Sequence, residues 1–550
     1  MKRKLYQRII AGMAVLAAFP GAALAAPVLS EPQPPQPPRP IEKPAIEDQQ
    51  PVDQAAAQQA GGTEQKSFTL QSIRIETEEM EKDEAALQVL VKPYLNRPVT
   101  LQELSKGVDA VTVYVRKHGY PAASTYIPVQ KIENQSLLLK ITPGHYGHIV
   151  IDNQSKLHTD VAEGLSRRLK PGMVIRSDSL EKTLYIINDI GGIKAAGVLK
   201  PGSEIGTSDL TIRLEDGKRS MTALYAENYG SISTGRYRYD LDMNWMNLGG
   251  IGDTLRIAGM LSNKDMRNYT FNYSTLVGYT GTSLGIGYSR MNYDLGLSTL
   301  NSYGQADTYR IFGTTPLVRR TQRRLSWNYG MDYRDLSDTI QYYGMPLNGQ
   351  KHSQSFYTGL SGMERWGKAM LNYGITMETG SVVAETTLAQ SMARAKNSEG
   401  RYTKGSLDVS YLQGFDKYWD VLFRFQGQKA SRNLDSSEQF YLGGPNAVRA
   451  YPQSEGPGDE GYTATAELRY HTKCPGLILS TYLDTGYVNV RRDGTQGETN
   501  LNGWGIGISY SKPQQWFARF DYARRIGFDS NVSREAYSKD RMWFLLGKIF

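Results

Sequence analysis

The chain has 550 residues, 55 of them glycine, and a formal charge of +8. Its lysines and arginines form no long run, which argues against a nucleic-acid partner; arginines lining a wet cavity account for the charge better. One cysteine, Cys474, excludes an intrachain disulfide, and six histidines without ligand-like spacing give no metal site and call for no cofactor.

Residues 1–25 read as a secretory signal peptide. Lys2, Arg3, Lys4 and Arg8 precede an apolar stretch from Ile9 to Phe19, and Ala23-Leu24-Ala25 offers small residues for cleavage. The stretch is too short for a membrane anchor, which needs about 20 apolar residues. No later stretch is long enough either. A mature chain integral to a membrane is therefore a closed barrel, because backbone groups in lipid must pair internally.

Residues 26–67 read as a proline-rich linker. Pro32, Pro34, Pro35, Pro37 and Pro38 favour an extended polyproline II path, and the Ala/Gln-rich stretch from Gln50 to Gln65 is weakly helical without a strong apolar face.

Residues 68–216 repeat one β-α-α-β-β unit, over 68–144 and 145–216. The first unit is expected to run strand Phe68–Glu76, helix Asp83–Tyr94, a helix opened by the capping box of Thr100 and Glu103, and strands Ala123–Gln130 and Gln135–Thr142. Leu101, Leu104, Val108, Val111 and Val115 put one apolar face on its second helix. The second unit runs strand Tyr146–Ile151, helix His158–Leu169, a helix capped by Ser177 or Asp178, and strands Ile193–Leu199 and Ser208–Leu214.

Residues 217–550 alternate apolar and polar side chains in segments of about ten residues, the pattern of a transmembrane β-barrel. Tyr269, Phe271, Tyr273 and Val277 share one face, against Asn268, Thr270, Asn272 and Ser274 on the other. Tyr462–His471, Trp504–Tyr510 and Trp516–Arg524 alternate in the same way. About sixteen strands can be placed, starting near 220, 235, 253, 266, 283, 307, 323, 352, 367, 402, 418, 462, 476, 502, 514 and 541. Short turns (279–282, 363–366, 414–417, 512–514) follow even strands, and mostly longer loops (335–351, 378–401, 431–461, 526–540) follow odd ones. Short turns are periplasmic, so an even strand count leaves both barrel ends on the side where 68–216 must lie. Of 36 tyrosines, 29 follow residue 217, which suits aromatic girdles at the two membrane surfaces.

The loop 431–461 contains Leu442-Gly443-Gly444-Pro445-Asn446-Ala447-Val448-Arg449-Ala450-Tyr451-Pro452. Val448-Arg449-Ala450-Tyr451 resembles the loop motif of two-partner secretion translocators of the ShlB/FhaC/HecB type, with Ala450 where that family usually has glycine. The resemblance covers nearly the whole mature chain. It implies two periplasmic POTRA domains, a sixteen-stranded barrel and a sixth extracellular loop folded back into the barrel. It also implies that Arg449 meets an acidic residue on an inner strand. Alternation puts Ser480, Tyr482 and Asp484 on the inner face, so Asp484 is the expected partner.

The same resemblance implies a transporter, not an enzyme, with no catalytic residues. It would carry a large secreted exoprotein of the adhesin, haemolysin or contact-inhibition toxin class. Outer-membrane lipid, and the barrel assembly machinery during biogenesis, would be its other partners. The terminal Phe550, on one face with Met542, Phe544 and Leu546, resembles the assembly signal of such barrels, although Lys548 interrupts the series. The family often carries a plug helix near its start, for which Val52–Ala60 is the candidate here. The alternative function is a barrel-protein insertase of the same superfamily. An outer-membrane hydrolase would need a Ser/His or Asp/His constellation that the sequence lacks, and a plain porin would not need residues 68–216.

Overall fold

The computed structural model describes residues 46–48, 67–81, 83–132, 134–294, 302–342, 345–492, 495–527 and 533–550. The expected signal peptide 1–25 and the candidate plug helix Val52–Ala60 lie outside the described residues. Within the expected linker, Ile46–Asp48 forms a strand, β1, which proline-rich composition did not foretell.

The first small domain holds β2 (Phe68–Thr69), β3 (Ser72–Thr77), α1 (Glu84–Val91), β4 (Pro98–Val99), α2 (Leu101–Lys117), β5 (Ser124–Tyr126) and β6 (Ser136–Thr142). Its sheet runs β3-β6-β5, with β3 parallel to β6. Both halves of the capping box form: Glu103 N–H donates to Thr100 Oγ1 at 3.2 Å, and Thr100 N–H to Glu103 Oε2 at 3.0 Å. Leu104, Val111 and Val115 are buried against Ile73, Ile75, Leu137 and Leu139, so the apolar stripe of α2 meets the inner face of the sheet. Two boundaries differ from expectation. The first strand breaks after Thr69, and β5 stops at Tyr126, just before Pro128, which has no N–H to continue a ladder.

The second domain holds β7 (His145–Asn153), α3 (Thr159–Ser166), α4 (Ser177–Asn188), β8 (Ile193–Pro201) and β9 (Thr207–Asp216). Its sheet order is β1-β8-β9-β7, so the linker strand sits on its edge. The cap of α4 is Arg176 with no side-chain bond; Ser177 and Asp178 fall one and two residues inside the helix.

Sixteen antiparallel strands then close one barrel. They are β10 (Ser220–Glu227), β11 (Arg238–Met246), β12 (Thr254–Ser262), β13 (Arg267–Leu276), β14 (Ser283–Asp294), β15 (Ser302–Arg319), β16 (Arg323–Tyr342), β17 (Met345–Trp366), β18 (Ala369–Ala384), β19 (Gly400–Gly414), β20 (Trp419–Ala430), β23 (Glu460–His471), β24 (Leu477–Arg492), β25 (Thr495–Lys512), β26 (Trp516–Arg525) and β27 (Asp540–Ile549). Two short strands inside the loop before β23, β21 (Phe440–Tyr441) and β22 (Pro457–Gly458), pair only with each other. The ring closes by pairing Ala223–Glu227 with Leu545–Ile549.

The sequence placed most strand starts within three residues. It placed β15 five residues late, and β17 and β25 seven residues late. The cause is physical: these strands continue above the lipid band, where polar residues on both faces hide the alternation. Residues 335–342 and 345–351, expected as loop, are ladder, with Asp335 opposite His352 and Tyr342 opposite Met345. The expected turn 363–366 moves to Gly367-Lys368, because β17 runs on to Trp366. The expected loop 378–401 holds the end of β18 and a helix, α5 (Thr387–Lys396), closed by Asn397 at φ 48°.

Alternation sorts the faces as lipid requires. Tyr269, Phe271, Ile506, Ile508, Trp516 and Phe520 point outward and are exposed, while Asn268, Thr270, Asp332, Asp484 and Asp521 point inward and are buried. Inward arginines form pairs, Arg256 with Asp242, Arg310 with Asp332 and Arg469 with Asp420, while Arg290 pairs with Asp307 on the outer face, opposite Tyr269.

The second domain is fastened to the barrel's short turns. Arg319 Nε donates to Asp189 at 2.6 Å, Tyr185 Oη to Thr321 Oγ1 at 2.9 Å, and Thr321 Oγ1 to Glu181 at 3.2 Å. Arg167 lies 4.3 Å over the ring of Tyr279.

Candidate functional site

The connection between β20 and β23 turns back into the barrel. Its two limbs are zipped by β21 and β22 and by Leu442 and Gly443 N–H groups donating to the Glu455 carbonyl, each at 2.9 Å. The tip is tight because of its glycines. Gly444 takes φ +136°, which side chains avoid, and a Cβ on Gly443 would stand 2.3 Å from the Pro452 carbonyl oxygen. Val448, Ala450 and Tyr451 are buried with Tyr482, Val488, Leu501 and Ala523 of the inner wall. Apolar burial of the tip therefore opposes its return to water.

This turn carries Arg449 to the wall. Its Nε and Nη2 donate to the two oxygens of Asp484 at 2.9 and 2.8 Å, and its backbone N–H donates to Asp484 Oδ2 at 3.1 Å. The fork is the bidentate geometry that lysine cannot reproduce. Nη1 reaches Glu467 at 2.9 Å and Asp521 at 3.4 Å. The guanidinium stacks 3.1 Å over the Tyr482 ring, and the Arg449 carbonyl accepts from Trp543 Nε1 at 2.7 Å. One residue of the loop thus ties together β23, β24, β26 and β27.

The structure brings the expected pair together and adds two acids that the sequence reading did not assign to the site. Glu467 and Asp521 had been placed on polar faces by alternation, but nothing in a linear pattern says that β23 and β26 converge on one arginine. Asp521 also receives Arg519 Nε at 2.6 Å, so a second arginine joins the three carboxylates. Tyr451 sits under Arg525, whose guanidinium is 4.5 Å from the ring centroid.

A second group of ion pairs holds the rising limb of the loop. Lys351 donates to both oxygens of Asp435 at 2.9 Å, and Glu438 receives Lys404 at 2.6 Å together with Arg334. Glu455, on the descending limb, accepts from Ser533 N–H at 2.8 Å and Ser533 Oγ at 2.6 Å. These contacts join the loop to β16, β17, β19 and the last long loop. Nothing in the sequence motif pointed to them.

Phe550 lies outside this site. It follows β27, its ring faces outward, its N–H donates to the Thr222 carbonyl at 2.8 Å, and Lys548 Nζ lies 4.6 Å over its ring. Cys474 is exposed in the turn between β23 and β24. Among the described residues, no group of three or more His, Cys, Asp or Glu side chains is placed to hold a metal ion.

The family model described as haemolysin secretion/activation protein ShlB/FhaC/HecB matches residues 206–510, and that of the ShlB-type POTRA domain matches 68–144. The heme/hemopexin transporter protein HuxB of Haemophilus influenzae is 25% identical over 510 residues, covering 88% of this chain and 87% of its own. The outer membrane transporter CdiB of Dickeya dadantii is 24% identical, covering 82% and 81%. Among solved structures, CdiB from Escherichia coli superposes with a TM-score of 0.68 at 18% identity, covering 100% of this chain and 97% of that one.

Proposed function

Because this chain belongs to the haemolysin secretion/activation family of ShlB/FhaC/HecB type, we propose that it exports one large, unfolded exoprotein from the periplasm, through its barrel, to the cell surface. The barrel lies in the outer membrane and the two POTRA domains lie in the periplasm. The observation that carries the reading is the inward loop pinned by Arg449 to Asp484, Glu467 and Asp521. A loop whose tip is held by a buried, removable set of charges is a gate with a defined position, and a buried ion set fixes one arrangement against others. The periplasmic sheets supply edges to which an extended substrate adds as a strand. The second POTRA domain, bolted to the barrel turns through Asp189 and Tyr185, is the receptor next to the pore. Arg449 and Asp484 are the gate residues of this reading, with Val448, Ala450 and Tyr451 as its apolar seat and Gly443 and Gly444 as its hinge.

The test is secretion of a neighbouring, separately encoded large exoprotein with and without this chain, while assembly of other outer-membrane proteins is followed. Loss of that exoprotein alone is expected. General loss of barrel proteins would instead make the chain an insertase.

A further inference from the structure

The second POTRA sheet ends at β7 on one side and, beneath β1, at β8 on the other; the β8 edge is built to accept one short strand and no more. In β8, alternate residues turn their backbone groups toward β9 or away from it. Ala195 turns away, and both its groups are taken by one side chain of α4. Ala195 N–H donates to Asn188 Oδ1 at 2.9 Å, and Asn188 Nδ2 donates to the Ala195 carbonyl at 2.9 Å. Pro201, at the other end, has no N–H to offer. Between these two stops the outward positions are Gly197 and Leu199. β1 fills them, running parallel to β8 with Ile46 opposite Gly197, Glu47 opposite Val198 and Asp48 opposite Leu199. The first POTRA sheet has edges at β5 and β3: β5 has three residues and the N–H and carbonyl of Leu138 on β6 are taken by Gln130, while on the six-residue β3 the Ile73 carbonyl accepts from Gln88 Nε2 at 3.1 Å.

We propose that Gly197–Leu199 is the docking slot for an extended segment of the exported polypeptide, added parallel to β8, and that Ile46–Asp48 is a resident stand-in that the substrate displaces. The proposal rests on the export reading above. Two strands cannot share two outward positions, so occupation is exclusive. Affinity at such an edge comes from main-chain hydrogen bonds, which any extended peptide can make. The stand-in is joined to the same domain pair through residues 49–67 alone, and a short tether gives an effective concentration on the order of millimolar. Incidental peptides therefore lose the slot to it. A substrate wins only by adding contacts elsewhere on the protein, which makes the slot selective although its own bonds are not.

The test locks the stand-in in place in the full-length protein in cells. Glu47→Cys and Val198→Cys, in a Cys474→Ser background, put two thiols on directly opposed residues of neighbouring strands, within disulfide reach. The oxidised double variant is expected to deliver the exoprotein at least tenfold less than either single-cysteine control, with recovery on reduction. Export by the oxidised form at the control level overturns the proposal. So does failure of the disulfide to form in folded protein, since the strand would then not occupy the edge. Deleting residues 46–48 is expected to preserve or raise export; a tenfold fall on deletion also overturns it. If the Cys474→Ser parent exports nothing, the export reading itself falls, and the two failures are thereby told apart.

Discussion

Ala450 at the loop tip occupies the space that a side chain on Gly503 of the barrel wall would need: a Cβ at position 503 would stand 2.6 Å from that of Ala450. The two positions are thus complementary in size. Gly503→Ala is expected to lift the tip from the wall at a cost of about 1–3 kcal/mol. Ala450→Gly in the same chain should restore the fit, because directly contacting positions couple by about 0.5–3 kcal/mol. Protease cutting within 431–461 measures both: faster in the single variant, near wild type in the double.

Arg449→Ala leaves Asp484 without the fork that holds both its oxygens, and Glu467 and Asp521 without one of their cations. Removing one partner of a buried ion set costs about 3–5 kcal/mol, enough to release the loop from its seat. Export of the exoprotein should fall at least tenfold, while the barrel still migrates as a folded species on an unheated gel. Arg449→Lys, which keeps charge but loses the fork, should fall between. An Arg449→Ala protein that exports normally would sink the gate.

The rising limb gives an independent prediction. Lys351→Ala leaves Asp435 without its cation, and Glu438→Gln weakens the hold of Arg334 and Lys404. Either change should expose 431–438 to protease before 448–451, whereas Arg449→Ala should expose the tip first. Mass mapping of the earliest cuts separates the two anchors.

Arg319→Ala removes the 2.6 Å contact to Asp189 but leaves the Tyr185–Thr321 bond. Asp189 is partly exposed, so the pair is worth at most about 1 kcal/mol, and Arg319→Ala alone should barely broaden the distance between spin labels on the second POTRA domain and the barrel. Adding Tyr185→Phe should broaden it clearly. A broad distribution in Arg319→Ala alone would mean that this one arginine sets the domain's pose.

Much of this was legible in the chain. Period-two alternation located the sixteen strands and the inward face of Asp484, because lipid and water enforce opposite chemistry on successive residues. The capping box located α2, because Thr100 and Glu103 satisfy each other locally. What stayed hidden was non-local. Glu467 and Asp521 meet Arg449 only after strands far apart in sequence curl into one ring. Lys351 sits in a ladder extension that reads as loop, since no lipid polarises its faces. β1 was hidden by the prolines around it, Pro44 and Pro51, and by its partner, which lies about 150 residues away in sequence.

The unequal strand lengths shape the mouth of the pore. At about 3.3 Å per residue and a tilt near 40°, the 22 residues of β17 rise about 55 Å and the nine of β12 about 23 Å. Because β17 turns directly into β18 at the periplasmic end, the whole excess stands on the outer side, as a parapet along one flank. The rim is therefore cut on a slant, high along β15–β18 and low along β10–β13. Under the export reading, the mouth would open sideways along the cell surface and set the direction in which a cargo emerges.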